Sequence, residues 1–274
     1  MTRLLIIILF ACTAQRTIAQ SYDWTIENSE RVFGKDQATP NTTRNSTIHI
    51  NTTIENVSDG VIRVTINSLD MIIPDTPIGD ITFDSDADPD PENVLEPVLR
   101  PLVALSFTLT YDNMERVLNP SRELLDQRGT SALGQSMSPP YLTAPFAPFF
   151  MFQEQATPDA PRSFMLVPHA SGVDMGDPTL IDYIISESND ALYTEAELTA
   201  DVQGSMPGIA SPAKLKISGS SQSKHNPKSF ELEELTYELT SVLSFEYRPT
   251  QPVRSELVSK ITIKRKTEPT PTGS

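Results

Sequence analysis

Residues 48–67, IHINTTIENVSDGVIRVTIN, decide how this chain folds. Ile48, Ile50 and Ile54 fall on one parity, and His49, Asn51 and Glu55 fall on the other. After Ser58-Asp59-Gly60 the pattern resumes, with Ile62, Val64 and Ile66 against Arg63, Thr65 and Asn67. Side chains of a strand alternate between its two faces, and a glycine-containing break between two alternating runs is a turn. The stretch predicts an antiparallel hairpin with one face buried and one face wet.

Outward from this hairpin the same period recurs. Leu105, Phe107, Leu109 and Tyr111 make a strand, as do Ile181, Tyr183 and Ile185. Leu192, Ala196 and Leu198 alternate with Tyr193, Glu195 and Glu197, and Leu215 and Ile217 alternate with Lys214 and Lys216. Leu235, Tyr237, Leu239, Leu243, Phe245 and Tyr247 share a parity that Phe230 and Leu232 do not. A phase flip inside a strand needs one extra residue, so a β-bulge is expected at Glu233-Glu234. A short helix through Leu232, Leu235 and Leu239 is the alternative, but Thr, Tyr, Val and Phe dominate downstream and favour a strand. Leu257, Ile261 and Ile263 mark the last strand.

Helical signals are few. Leu95, Val98, Leu99 and Leu102 have helical spacing, but Pro97 and Pro101 interrupt it, so a short kinked helix is expected. Asn119 and Pro120 read as cap and first residue of a helix reaching Gln127. The expected fold class is α+β, mainly antiparallel β, with a large curved sheet of about nine strands and two or three short helices.

The expected organisation is a signal peptide at 1–19, a polar segment at 20–43, a β-rich domain at 44–266 and a disordered tail at 267–274. Residues 129–178, holding eight of the 23 prolines, form a Pro-rich connection that divides the domain into two halves. The signal reading rests on Arg3, the apolar run from Leu4 to Ala11, and Thr17-Ile18-Ala19 before the cut. The run is too short to span a bilayer, so the chain is not transmembrane once the signal is removed. An exported location follows: periplasmic, outer-envelope or secreted. Leu9-Phe10-Ala11-Cys12 offers a competing lipobox, with Cys12 carrying a lipid anchor. Ordinary cleavage removes Cys12, the single cysteine, and with it every disulfide, thiolate nucleophile and cysteine-held metal.

Composition excludes one class of partner. The chain holds 36 acidic against 21 basic residues, a net charge of −15, whereas phosphate binding needs a basic surface. No nucleic-acid partner is expected. The 38% hydrophobic content is enough for a core.

Catalytic motifs are missing from the sequence. Gly134-Gln135-Ser136-Met137-Ser138 lacks the second glycine of a nucleophile elbow, and there is no phosphate-cradling glycine loop. His49, His169 and His225 are far apart; His225 lies in a polar run, SSQSKHNPKS, where a solvated role is expected. No catalytic residue and no cofactor are assigned, and a hydrolase built on carboxylates is the least favoured reading.

Two candidate sites remain. Asp84, Asp86, Asp88 and Asp90 alternate along an acidic, Pro-broken loop and could converge on calcium, although the EF-hand pattern fails at Pro89 and Leu95. A solvated loop is the plainer reading. Phe146, Phe149, Phe150 and Phe152 form an apolar patch within the Pro-rich connection. They either plug the open end of the sheet or cover a site for an apolar ligand. Four N-x-[ST] sequons begin at Asn41, Asn45, Asn51 and Asn56; they read either as glycan acceptors or as polar residues on wet strand faces.

The order of segments resembles a family of exported bacterial proteins catalogued as a domain of unknown function. The resemblance rests on DITFDSD (80–86), the apolar stretch VLEPVLRPLVALSFTLTYD (94–112) and LVPHASGVDMGD (166–177). The tryptophan that often follows the last step in that family is replaced here by Pro178 and Thr179. The resemblance implies an exported β-rich protein and supplies no catalytic residues. At the fold level the layout is also similar to half-barrel lipoprotein carriers. The functional expectation is therefore a non-catalytic binding or carrier module for an apolar small molecule or lipid. The alternative is a structural or interaction protein meeting a protein partner at the envelope. An enclosed apolar cavity near Phe146 to Phe152 would raise the first, and a solid core there would leave only the second.

Overall fold

The computed structural model describes residues 19–34, 38–112, 114–125, 144–152, 162–166, 179–188, 190–204, 211–248 and 251–266. The predicted signal segment apart from Ala19, Cys12 within it, the 134–138 motif, His169, most of the Pro-rich connection and residues 267–274 lie outside them.

Twelve strands form one antiparallel sheet. They are β1 (Gln20–Phe33), β2 (Pro40–Ser58), β3 (Val61–Thr76), β4 (Gly79–Asp84), β5 (Ser106–Asp112) and β6 (Val117–Pro120). After them come β7 (Arg162–Leu166), β8 (Thr179–Ser188), β9 (Ala191–Gly204), β10 (Ala213–His225), β11 (Leu232–Arg248) and β12 (Gln251–Arg265). Their spatial order is β6-β5-β3-β2-β1-β12-β11-β10-β9-β8-β7, with β4 paired to β3 off this path. The two ends of the sheet meet: Met165 N donates to Arg116 O at 2.8 Å, and Tyr111 Oη to Ser163 O at 3.3 Å. The result is a nearly closed barrel, with more strands and less helix than the sequence pattern predicts.

The predicted hairpin is present. Ile48, Ile50, Ile54, Ile62, Val64 and Ile66 are buried, and Gly60 takes φ 70° in the turn, a conformation open to glycine. The bulge at Glu233 is also present: Lys224 faces Glu234 while His225 faces Leu232, which leaves Glu233 as the extra residue. A second bulge, at Asn67, has the same origin. Asn51 faces Ser68 and Thr52 faces Ile66, so Ile66 and Leu69 both point inward.

Three expectations change. Residues 20–33 are not a featureless polar segment but β1, which joins β2 to β12 and turns Tyr22, Trp24 and Ile26 inward. Asn119 and Pro120 belong to β6; the helix that follows is one turn, α2 (Arg122–Leu125). The SSQSKH run is the end of β10, with Ser221, Ser223 and His225 buried. The kinked helix at 94–103 is present as α1 (Glu96–Leu99) running into a 3-10 turn, Arg100–Leu102.

A barrel of about eight strands is filled by its own side chains, and a wider one encloses spare space. Here Leu99, Leu102, Leu124 and the 3-10 segment Ala144–Phe150 join the inward strand residues in one core cluster. The outer face is charged. Lys260 pairs with Glu238 (3.1 Å), Lys264 with Glu234 (3.1 Å) and Lys216 with Asp201 (3.4 Å) across neighbouring strands. A lipid-facing barrel would carry an apolar band there. Among the described residues, no helix is long and apolar enough to cross a membrane.

Candidate ligand site: the barrel interior and its aromatic plug

The interior has two unlike walls. On β1 to β5 the inward side chains are large and apolar, among them Trp24, Ile50, Val64 and Phe107. Against this wall sits the 144–152 segment. The Phe146 ring lies 4.8 Å from Trp24 and 6.4 Å from Phe107, and Phe149 meets Tyr22 edge-on at 5.1 Å. Phe150 lies 6.1 Å from Tyr111. Phe146, Phe150 and Met151 are almost wholly buried. Of the predicted aromatic patch, Phe146 and Phe150 enter the barrel, while Phe149 and Phe152 are half-buried. Beside Phe146 remains an apolar cavity of about 30 Å³, lined by Trp24, Ile50, Val64, Leu102 and Phe107. That is room for a water or two, and apolar walls keep such a space dry. With the segment in place, the interior is close to the solid core of the two expectations.

On β8 to β11 most inward side chains are also apolar, Ile181, Leu198, Leu215 and Leu239 among them, but a buried polar group is set between them. Ser221, Ser223 and His225 follow one another at two-residue spacing on β10, with Thr194 opposite Ser223 and Tyr237 opposite Ser221. Ser223 Oγ is 2.8 Å from His225 Nε2 and 2.5 Å from Thr194 Oγ1. The direction of this chain can be deduced. His225 Nδ1 faces the Phe230 carbonyl at 3.4 Å, and a carbonyl only accepts, so Nδ1 carries the hydrogen. Nε2 then accepts from Ser223, and Ser223 accepts from Thr194. Burial pushes the His225 imidazole down to about 4, against smaller upward effects of the Phe230 carbonyl and Glu233. Burial likewise pushes the Tyr183 phenol up to about 12, opposed by the neighbouring Ser221 hydroxyl. The phenol of Tyr22 is also raised by burial.

Phe152 links the two walls. Its ring packs edge-on to His225 at 4.6 Å and stacks on Phe230 at 5.8 Å. Ser223 and His225 have the spacing of a nucleophile and its base, yet an imidazole that protonates only near pH 4 is a weak base at neutral pH, and its orienting group is a carbonyl. Sequence reading missed this cluster because Ser, Lys and His in one run look solvated; only the alternation Ser221, Ser223, His225 hints at an inward face.

The four loop aspartates are not gathered around a point. Among the described residues no group of three His, Asp or Glu is placed to hold a metal. A guanidinium already serves the loop: Arg100 donates to the carbonyls of Ser85 (2.6 Å), Ala87 (3.3 Å) and Asp84 (3.4 Å). Asp84 and Asp90 instead accept from the backbone of Asp86 and Glu92. Arg100 also pairs with Glu96 at 2.7 Å, which holds that carboxyl below its ordinary range, and its Cζ lies 4.9 Å from the Phe83 ring centre. Of the sequon residues, Asn51 is engaged by Asp23 at 2.8 Å, while Asn41, Asn45 and Asn56 are exposed.

No protein-family model matches the chain, so the resemblance to an exported family of unknown function gains no support there. No curated protein sequence matches either. Among solved structures, the chain is similar to lipovitellin, from a study of its lipid–protein interactions: TM-score 0.43, 8% identity, 93% of this chain and 26% of that one. The chain thus spans about a quarter of that protein's length. It is also similar to DynF of the dynemicin biosynthesis pathway of Micromonospora chersina (TM-score 0.25, 6% identity, 92% of this chain and 82% of that one). A third is Ail, the attachment invasion locus protein of Yersinia pestis, in complex with sucrose octasulfate (TM-score 0.14, 6% identity, 90% and 99%). At these scores none of them bears on what this chain does.

Proposed function

We propose that the protein is an exported, non-catalytic carrier that takes an apolar ligand into the barrel in place of the 144–152 segment. The observation that carries this reading is that rings of an inserted segment, rather than the strands' own side chains, complete the packing around Trp24 and Phe107. Magnitudes permit the exchange. Burial of Phe146, Phe150 and Met151 contributes roughly 5–9 kcal/mol in all at about 1.5–3 kcal/mol each. A dodecyl chain recovers about 9 kcal/mol at ~0.8 kcal/mol per methylene. A ligand of that size can therefore offset the loss of those three side chains.

The test uses Trp24, the single tryptophan, which touches Phe146. Titration with dodecane-like amphiphiles should shift its emission, and solvent extraction of the native protein should release an apolar molecule. Unchanged emission together with an empty extract would rule the carrier out. A second reading, an envelope interaction protein, draws on exposed apolar residues at the β7–β8 edge, Leu180 and Ile184. It predicts capture of a protein partner that is lost when both become Ser.

A further inference from the structure

The interior offers a polar end as well as an apolar one. Tyr183, Thr194, Ser221, Ser223, His225 and Tyr237 are all buried, inward-facing and packed on adjacent strands β8 to β11. Phe152, the last ring of the plug, packs on one of them, His225. Moving 144–152 out of the barrel therefore uncovers two surfaces together: an apolar one beside Trp24 and a polar one at His225, whose Nε2 is bonded to Ser223.

The chemistry of the polar end selects its guest. None of its six side chains is charged at neutral pH; the charged neighbours Glu195, Lys224 and Glu234 lie on the opposite strand parity, and Glu233 is held by Lys224 at 2.7 Å. A charged head group placed there loses its water without gaining a counter-ion. A neutral head group loses less and finds partners. The hydrogen-bond chain runs Thr194 to Ser223 to His225, so the Thr194 oxygen has spent its hydrogen and keeps lone pairs to accept with. A guest hydroxyl can donate to it.

We infer that the ligand is an uncharged amphiphile, such as a long-chain alcohol or monoacylglycerol, whose tail replaces Phe146 and Phe150 and whose hydroxyl, entering where Phe152 leaves His225, bonds to the adjoining Thr194–Ser223 pair. This rests on the carrier reading. The experiment compares dodecanol, dodecanoate and dodecyltrimethylammonium, three heads on one tail, by Trp24 emission on the full chain at pH 8. Dodecanol is expected to bind at least about tenfold tighter than either ion, a ratio worth ~1.4 kcal/mol. Thr194→Val, which keeps shape and removes the acceptor, should reduce that ratio to about twofold. Ser223→Ala is the contrasting variant: it leaves the Thr194 oxygen in place, so the ratio should stay near tenfold. Dodecanoate or the ammonium binding as tightly as dodecanol overturns this inference and leaves the carrier intact, as does a ratio unmoved by Thr194→Val or lost in Ser223→Ala. Failure of all three probes overturns the carrier and the inference with it.

Discussion

The wall built by β1 to β5 and the wall built by β8 to β11 solve the same geometric task with different residues. The first turns branched and aromatic side chains inward and meets the plug ring against ring. The second turns Leu and Ile inward too, but sets among them Thr194, Ser223 and His225, which are tied to each other. An apolar wall tolerates a change of partner, because dispersion contacts are undirected. A hydrogen-bonded wall does not, because each buried polar atom needs its mate. The contrast teaches that inwardness, not polarity, is what alternation reports.

The largest expected effect falls on the polar wall. A Cβ on Gly219 would lie 2.0 Å from the Glu238 carbonyl oxygen of the neighbouring strand. Gly219→Ala should therefore cost on the order of 4 kcal/mol, measured by urea unfolding. A loss below about 1 kcal/mol would mean that β10 and β11 can part there. On the apolar wall, Phe146→Ala should cost about 3 kcal/mol by cavity formation, and the vacated space should tighten dodecanol binding in the same sample. Looser binding would show that Phe146 is scaffold rather than placeholder.

The third effect is a dependence on acidity. His225 binds its proton near pH 4 when folded and near 6.5 when unfolded, so the unfolded chain holds more protons between those values. Stability should be constant above pH 6.5, fall as pH drops through this window, and be lower by about 3 kcal/mol at pH 4. His225→Gln should flatten most of that slope in denaturant midpoints measured across pH. The smallest effect is on the outer face: Lys260→Ala removes an exposed pair with Glu238 and should change stability by less than ~0.5 kcal/mol.

Much of the sheet was legible in the sequence because strands of both walls obey the simplest rule. Ile48 to Ile66, Ile181 to Ile185 and the strand through Leu239 alternate apolar with polar, and the phase change at Leu232 located a bulge. β1 escaped because Glu27, Asn28, Ser29, Glu30 and Arg31 drown three apolar residues in polar ones. The end of β10 escaped because its inward set is itself polar. Asn119-Pro120 imitated a helix start that β6 in fact uses as a strand end. Of the candidate site, the aromatic patch was visible as composition. That Phe146 and Phe150 enter the barrel was not, since depth depends on strand count and on closure between residues as distant as Tyr111 and Ser163.

The pairing of β1 with β12 has a consequence for how the molecule comes into being. The Ser259–Asn28 hydrogen bond ties together residues 231 positions apart, so the first strand waits for the last before either gains its second neighbour. Loop closure over such a span is slow, and an incomplete chain presents open strand edges meanwhile. Removal of β12 by a premature stop should thus yield aggregation rather than a smaller barrel, and the native chain must be kept apart from its own copies until its final segment has been made.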